Sequence, residues 1–296
     1  MQQVSLQRGL SLSRLVYGVW RWDEKVQTLK DITKLVDTCL HLGLDSFDHA
    51  DLYNDYRNEA FFGQWLKQNP SLRKAMKLVS KCGIQLLSES RPQTRIKHYD
   101  YRREHIRQSV EQSLKNLGTD YLDVLLLHRP SPLLDAAVVA ETLTSLVQSG
   151  KVRAVGVSNF TPGQFRLLQS AMSIPLVTNQ IELNLLHHEP LIDGSIDFLY
   201  QEGIHAMIWS PLGGGSLFQS ANTPCQQVLQ HMAGKYQVGA DALALAWLLK
   251  HPACFIPVIG TNRAERIATS VQALSIDLDL QDWFALYTAA RGKEVP

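Results

Sequence analysis

Leu42-Gly43-Leu44-Asp45-Ser46-Phe47-Asp48-His49-Ala50-Asp51-Leu52-Tyr53 is the stretch on which the reading of this chain turns. A short apolar run ends in an acid at Asp48, and a tyrosine follows five residues later. Read as a strand, the run puts Asp48 at its C-terminal tip and Tyr53 in the loop beyond. Two more runs end in the same manner. Lys77-Leu78-Val79-Ser80-Lys81 closes on a lysine, and Leu122-Asp123-Val124-Leu125-Leu126-Leu127-His128 on a histidine. A tyrosine, a lysine, a histidine and an aspartate, three of them at strand tips, point to one polar cluster. A phenol needs such neighbours if it is to act as an acid near neutral pH.

The rest of the chain repeats that unit. Val4 to Tyr17 reads as a short N-terminal hairpin, with Arg8-Gly9 as its turn, and a first strand at Arg14 to Tyr17. Asp31 to Leu42 carries apolar residues at helical spacing and meets Gly43 where a C-terminal cap belongs. Helices are expected over Asn58 to Lys67, Tyr101 to Leu117, Asp135 to Ser149, from Thr161-Pro162 onward, and over Leu191 to Gln201. The strands between them are Tyr121 to Leu127, Val152 to Val157, Leu176 to Ile181, Ile204 to Trp209 and Phe255 to Ile259. Helical stretches at Gln226 to Tyr236, Ala240 to Leu249, Arg263 to Leu274 and Leu280 to Ala290 complete the chain. Residues 82–100 read as a long irregular loop, the kind more often functional than accidental.

About eight strands alternate with helices, with no composition break and no linker. That alternation argues for a parallel sheet, and 296 residues fit one closed (β/α)8 TIM barrel of ~250 residues plus decorations. The α/β chain is therefore read as a single domain over 1–296, a barrel with a short N-terminal hairpin and extra C-terminal helices. An open doubly wound sheet is the second choice. In such a barrel the reacting groups sit at the C-terminal strand tips.

Composition narrows the function. Hydrophobic residues make up 45% and charged ones 19%, enough to bury a core. A net charge of +1 with mixed signs gives no reason to expect nucleic acid or an anionic membrane as partner. No run of 18 apolar residues occurs, and Met1-Gln2-Gln3-Val4-Ser5 lacks the features of a signal peptide. Cys39, Cys82, Cys225 and Cys254 are scattered without a C-x-x-C, so a reduced cytoplasmic setting is the simplest expectation. A monomer or weak oligomer acting on a small molecule is expected.

Four motifs, in order, resemble the aldo-keto reductases from about Arg14 to Ala273. D-x-A-x-x-Y falls on Asp48, Ala50 and Tyr53, and the lysine after the third strand on Lys81. L-L-x-H-x-P falls on Leu125, Leu126, His128 and Pro130, and G-V-S-N-F on Gly156 to Phe160. The resemblance implies a barrel that reduces aldehydes and ketones with NADPH and no metal, through Asp48, Tyr53, Lys81 and His128. The chemistry is consistent with the residue types. A hydride arriving at a carbonyl carbon leaves charge on the oxygen, which then needs a proton and donors. Tyr53 can give the proton, and Lys81 beside it is expected to lower the phenol's pKa. Asp48 would keep Lys81 charged, and His128 would donate to the carbonyl oxygen.

A dinucleotide site of the Rossmann kind is unsupported, because Tyr17-Gly18-Val19-Trp20 is no G-x-G-x-x-G. The resemblance implies another arrangement, with Gly18, Val19 and Trp20 beside the cofactor. Ser158, Asn159 and Gln180 would bond the nicotinamide carboxamide, and Trp209 would stack on its ring, where many relatives use Tyr. The loop Ser210, Pro211, Leu212 and Gly213, running on through Gly214-Gly215, would wrap the pyrophosphate, since glycine lets backbone amides approach oxyanions. Gly260, Thr261, Asn262, Arg263, Arg266 and Ser270 would hold the adenosine end. The two arginines favour NADPH over NADH. Many relatives have a lysine at Gly260 and Glu-Asn at Thr269-Ser270.

Trp20, Trp22, Tyr56 and the loop after His128 are candidate walls for an aldehyde. The short C-terminus suggests an open pocket. A cofactor-binding redox sensor or regulatory subunit on the same barrel is the alternative reading. A metal-dependent hydrolase is a third. His187-His188-Glu189 has no matched ligand set, and Ser158 lacks the G-x-S-x-G of a nucleophile elbow.

Overall fold

The computed structural model describes residues 2–219 and 223–296. Eight parallel strands close into a barrel. They are β1 (Val16–Gly18), β2 (Ser46–Asp48), β3 (Lys77–Cys82), β4 (Leu122–Leu127), β5 (Val152–Ser158), β6 (Leu176–Glu182), β7 (Met207–Trp209) and β8 (Ile256–Ile259). Each strand neighbours the next in sequence, and Val258↔Val16 and Ile259↔Tyr17 close the ring. The strands are buried on both faces, which is why they read as apolar runs rather than alternating ones.

The N-terminal hairpin, Gln3–Gln7 against Leu10–Ser13, plugs the bottom of the barrel. Val4, Leu10 and Leu12 pack with Val16, Val79, Val124, Leu126 and Ile256, whose side chains fill the interior. Tethers fix the plug: the Ser13 amide donates to Ser46 Oγ (2.9 Å), and Gln7 donates to the Arg153 carbonyl (3.3 Å).

Helices cover the outside, and five of the described ones start at a side-chain cap. Leu29–His41 begins two residues before its sequence-predicted start, because Thr28 and Asp31 form a reciprocal capping box. Ile32, Leu35, Val36 and Cys39 form its buried stripe. Thr161 and Gln164 cap Pro162–Ala171 in the same way. Helix Ala240–Leu249 is buried from Ala242 through Leu248, because it packs between β8, helix Pro224–Tyr236 and helix Ala264–Gln272, and the terminal helix Leu280–Arg291 meets it at Trp247. Trp247 stacks on Trp283 of that helix with ring centroids 5.1 Å apart.

Two local features depart from the sequence reading. Residues 82–100 are not wholly irregular, since Ile84–Gln85 pairs antiparallel with His98–Tyr99 and pins both ends of the loop. The following helix starts at Arg103, not Tyr101. The Tyr101 hydroxyl instead donates to the Arg129 carbonyl (2.5 Å) and accepts from the Arg129 amide (3.1 Å), tying together the segments that leave β3 and β4. Just after Tyr53 the backbone takes three consecutive left-handed residues, with φ of 48° at Asn54, 53° at Asp55 and 66° at Tyr56.

Candidate active site

The strand register brings the candidate residues together. Asp48 ends β2 opposite Val79 of β3, and Lys81 lies two residues further along, opposite Leu126 of β4. Lys81 Nζ donates to Asp48 Oδ2 (2.7 Å), the His49 carbonyl (2.8 Å) and Tyr53 Oη (3.0 Å), which employs all three of its protons. The Lys81 side chain is 1% exposed, so it depends on these partners to stay charged. Burial pulls its pKa down, but Asp48 and Tyr53 outweigh burial, and the net shift is upward.

Tyr53 behaves differently from the sequence expectation. Burial raises its pKa, the Lys81 charge pulls it back only in part, and it ends above the ordinary phenol value. The lysine therefore offsets desolvation instead of producing an acidic phenol, and Tyr53 is protonated at neutral pH. The His128 ring stands edge-on to Tyr53, with centroids 6.1 Å apart. Burial, with Lys81, Arg129 and Lys97 adding positive potential, holds His128 well below the usual histidine pKa. It is a neutral imidazole.

A second chain of bonds joins this cluster to β5, β6 and β7. Trp209 Nε1 donates to Asn159 Oδ1 (2.9 Å), Asn159 Nδ2 to Ser158 Oγ (2.7 Å), and Ser158 Oγ to the Gln180 carbonyl (2.8 Å). Gln180 Nε2 then donates to Asp48 Oδ1 (2.8 Å). Asn159 and Ser210 hold left-handed φ values of 61° and 48°, where the chain turns sharply at the strand tips.

A cavity of about 1230 Å³ opens over these tips. Asp48, Tyr53 and His128 line it, while Lys81 stands behind Asp48 and Tyr53 and does not line it itself. Of the residues that the resemblance gives to a cofactor, Gly18, Trp20, Ser158, Asn159, Gln180, Trp209, Ser210, Pro211 and Leu212 line it. So do Gly260, Thr261, Asn262, Arg263, Arg266 and Ser270. Val19 and Gly213 do not. The Val19 side chain is buried, its amide donates to the Asp48 carbonyl (3.1 Å) and its carbonyl accepts from Asn58 (2.9 Å). Gly213 sits behind the wall, where a Cβ would meet Leu186 and Ser216.

Two proposed substrate walls are also misplaced. Trp22 is a core residue, stacked on Phe62 and bonded to the Tyr17 hydroxyl, and Tyr56 packs its ring beneath the Arg91 guanidinium. The cavity includes three charged residues that sequence reading missed, Arg21, Lys97 and Asp241, and a fourth, Arg129, from the loop after His128 that the sequence reading names as a wall. Arg21 bridges two loops, donating from Nη1 to the Gly260 carbonyl (3.0 Å) and from Nη2 to the Gly214 carbonyl (2.9 Å). A Cβ on Gly260 would lie 3.1 Å from Nη1, so the absent side chain makes room for this bridge. No local motif signals a contact across 239 residues. His187 and Glu189 pair with each other in a turn (3.2 Å), away from the cavity.

The model of the Aldo/keto reductase family matches residues 14–290. A 6-dehydroglucose reductase of Agrobacterium fabrum is 48% identical over 296 residues, covering 100% of both chains. The oxidoreductase YdhF of Escherichia coli is 43% identical over 291 residues, covering 98% of this chain and 97% of its own. Among solved structures, the thermostable aldo-keto reductase Tm1743, crystallised with the inhibitor epalrestat, superposes with a TM-score of 0.83 at 25% identity. That match covers 98% of this chain and 100% of the other.

Proposed function

The chain belongs to the aldo/keto reductase family, and on that premise we propose that it reduces aldehydes or ketones to alcohols with NADPH, using Tyr53 as the proton donor. The observation that carries this reading is the buried Asp48–Lys81–Tyr53 chain at 2.7 and 3.0 Å, opening onto a cavity large enough for a dinucleotide and a small substrate together.

The residues present suit such a cofactor. Gly214 and Gly215 hold left-handed backbone, with φ of 65° and 103°, and a Cβ on either would meet nothing within 4 Å among the described residues. That leaves an open backbone edge that a pyrophosphate could approach closely, although the Gly213 and Gly215 amides donate within the loop, to the Ser210 and Leu212 carbonyls. Arg263 and Arg266 open the helix Ala264–Gln272 with no carboxylate partner among the described residues, as a 2′-phosphate would require. Ser158, Asn159 and Gln180 present side-chain amides and a hydroxyl where a carboxamide would lie. When bound, NADPH supplies the hydride.

The protein's own part is proton delivery and stabilisation of charge. Neutral Tyr53 donates its hydroxyl proton to the carbonyl oxygen as charge develops there, and Lys81 stabilises the phenolate left behind. Asp48 holds the ammonium against burial. Neutral His128 offers one ring N–H to the same oxygen and remains uncharged. Leu52, Ile84, Leu86 and Trp20 give the neighbouring wall apolar surface.

The test is NADPH oxidation with 4-nitrobenzaldehyde in wild type and Tyr53→Phe, with NADH in parallel. Loss of ~10² or more in the variant, with unchanged NADPH binding, is the expected result. Turnover retained by Tyr53→Phe would remove Tyr53 from the role. The aldehyde named for the Agrobacterium relative, 6-dehydroglucose, is the first sugar-type substrate to try.

A further inference from the structure

The cavity near Tyr53 and His128 carries more positive charge than the reduction of a neutral carbonyl needs. Three cations contribute to it. Lys81 is fully engaged by Asp48, His49 and Tyr53. Arg129 and Lys97 also line the cavity, and neither has a carboxylate partner among the described residues. Both lie close enough to His128 to hold down its pKa. Of the two carboxylates on the cavity wall, Asp48 is paired with Lys81, and Asp241 opens the helix Ala240–Leu249 beside Thr269, in the part read above as the adenosine end.

Arg129 is also held in place. Its backbone is gripped on both sides by the hydroxyl of buried Tyr101, and its guanidinium lies 5.3 Å from the Trp209 ring centroid. Lys97 is delivered by the loop that the Ile84–Gln85 and His98–Tyr99 ladder anchors. The arginines assigned above to the cofactor, Arg263 and Arg266, belong to the helix after β8, so these two cations have no ligand in that reading beyond their effect on His128. A guanidinium fork presented on an aromatic face, with a second cation nearby, suits an oxyanion.

We propose that Arg129 and Lys97 form an anion subsite beside the reacting carbonyl, and that the preferred substrates are aldehydes carrying an oxyanion such as a carboxylate or phosphate. The inference rests on the carbonyl-reductase reading and narrows its substrate class. Arg129 is a specificity residue in this scheme, and the proton still comes from Tyr53.

The test compares 4-carboxybenzaldehyde with 4-nitrobenzaldehyde at saturating NADPH. The two para groups have nearly the same shape and differ in charge. Nitro activates the carbonyl more strongly, so the expectation concerns KM. Wild type should show a KM ~10-fold or more lower for the carboxylate, the size of one hydrogen bond to a charged group. That preference should shrink with added salt, fall towards one in Arg129→Gln, survive in part in Arg129→Lys, and weaken in Lys97→Met.

Equal KM values in wild type would overturn the proposal, as would a preference untouched in Arg129→Gln. So would an Arg129→Gln defect confined to NADPH affinity. If wild type reduces 4-nitrobenzaldehyde without any charge preference, the subsite alone fails. If it reduces neither aldehyde, the carbonyl-reductase reading fails and takes the subsite with it.

Discussion

Gln180 donates from Nε2 to Oδ1 of Asp48 at 2.8 Å, across 132 residues of sequence. The other oxygen of the same carboxylate accepts from Lys81 at 2.7 Å. Gln180 therefore orients the acid that orients the lysine, in addition to facing the cavity. Gln180→Leu would leave a buried carboxylate oxygen without a donor, at a cost of about 1–3 kcal/mol. We expect a lower Tm and a kcat reduced ~10-fold as Lys81 loses its fixed partner. Gln180→Glu should be worse than Leu, because it sets a second carboxylate against Asp48. A kcat unchanged in both variants, with only NADPH affinity altered, would show that Gln180 serves the cofactor alone.

The distinction between what was legible and what was not follows the range of the interactions. Asp48, Lys81 and His128 could be read as strand tips because parallel strands buried on both faces are continuous apolar runs, and a polar residue ends each one. Trp20 and Trp22 could not be told apart. They sit two residues apart in the segment after β1, where no strand period assigns sides, and one is 60% exposed on the cavity while the other is 1% exposed in the core. Arg21 gave no signal, and Arg129 is placed only as part of the loop after His128, since their partners are carbonyls and rings brought near only by barrel closure. The sign of the Tyr53 shift also lay outside the sequence. It depends on desolvation outweighing Lys81, and burial of that order is a property of the folded site.

That sign has a kinetic consequence. A phenol held above its ordinary pKa stays protonated from pH 6 to 9, so Tyr53 ionisation should not limit reduction there. With NADPH and aldehyde saturating, the rate should vary by no more than about twofold over that range. Alcohol oxidation needs the phenolate as base and should rise by up to ~10-fold per pH unit towards pH 10. A reduction rate that falls tenfold per unit from pH 7 upward, in wild type only, would place the phenol's ionisation near neutrality instead.

The left-handed turn after Tyr53 makes a stability prediction. Asn and Asp tolerate this conformation better than other non-glycine residues, which suits Asn54 and Asp55, whereas Tyr56 is strained there. Asp55 is partly exposed, and its side chain makes no hydrogen bond among the described residues. Asp55→Ala should be less stable than Asp55→Gly by about 1 kcal/mol, since alanine has a Cβ penalty in this region and no polar side chain to offset it. Urea unfolding of the pair would measure the difference. Asp55→Ala as stable as Asp55→Gly would mean that the turn relaxes to right-handed backbone when the side chain is removed.

His49 makes the stability of the fold depend on pH. The ring is fully buried, edge-on to Phe62 at 4.6 Å, and neither nitrogen has a hydrogen-bond partner among the described residues. Burial, reinforced by the charges of Lys81 and Arg73, lowers its pKa to about 3. The unfolded chain binds a proton near pH 6.5 and the folded chain does not. The stability contribution is therefore complete above pH 6.5 and declines as pH falls from there towards 3, by up to about 1.4 kcal/mol per unit. His128 shifts in the same direction, while buried Asp51 and Glu59 shift upward and act in the opposite sense. A variant must therefore isolate the His49 share. In His49→Leu the Lys81 bond survives, because it goes to the backbone carbonyl. Between pH 7.5 and pH 5 the stability of His49→Leu relative to wild type should rise by about 2 kcal/mol. The measurement is urea unfolding of both proteins at the two pH values. A difference that stays constant would mean that the folded protein protonates His49 as readily as the unfolded chain, and that the ring has a partner or a path to solvent.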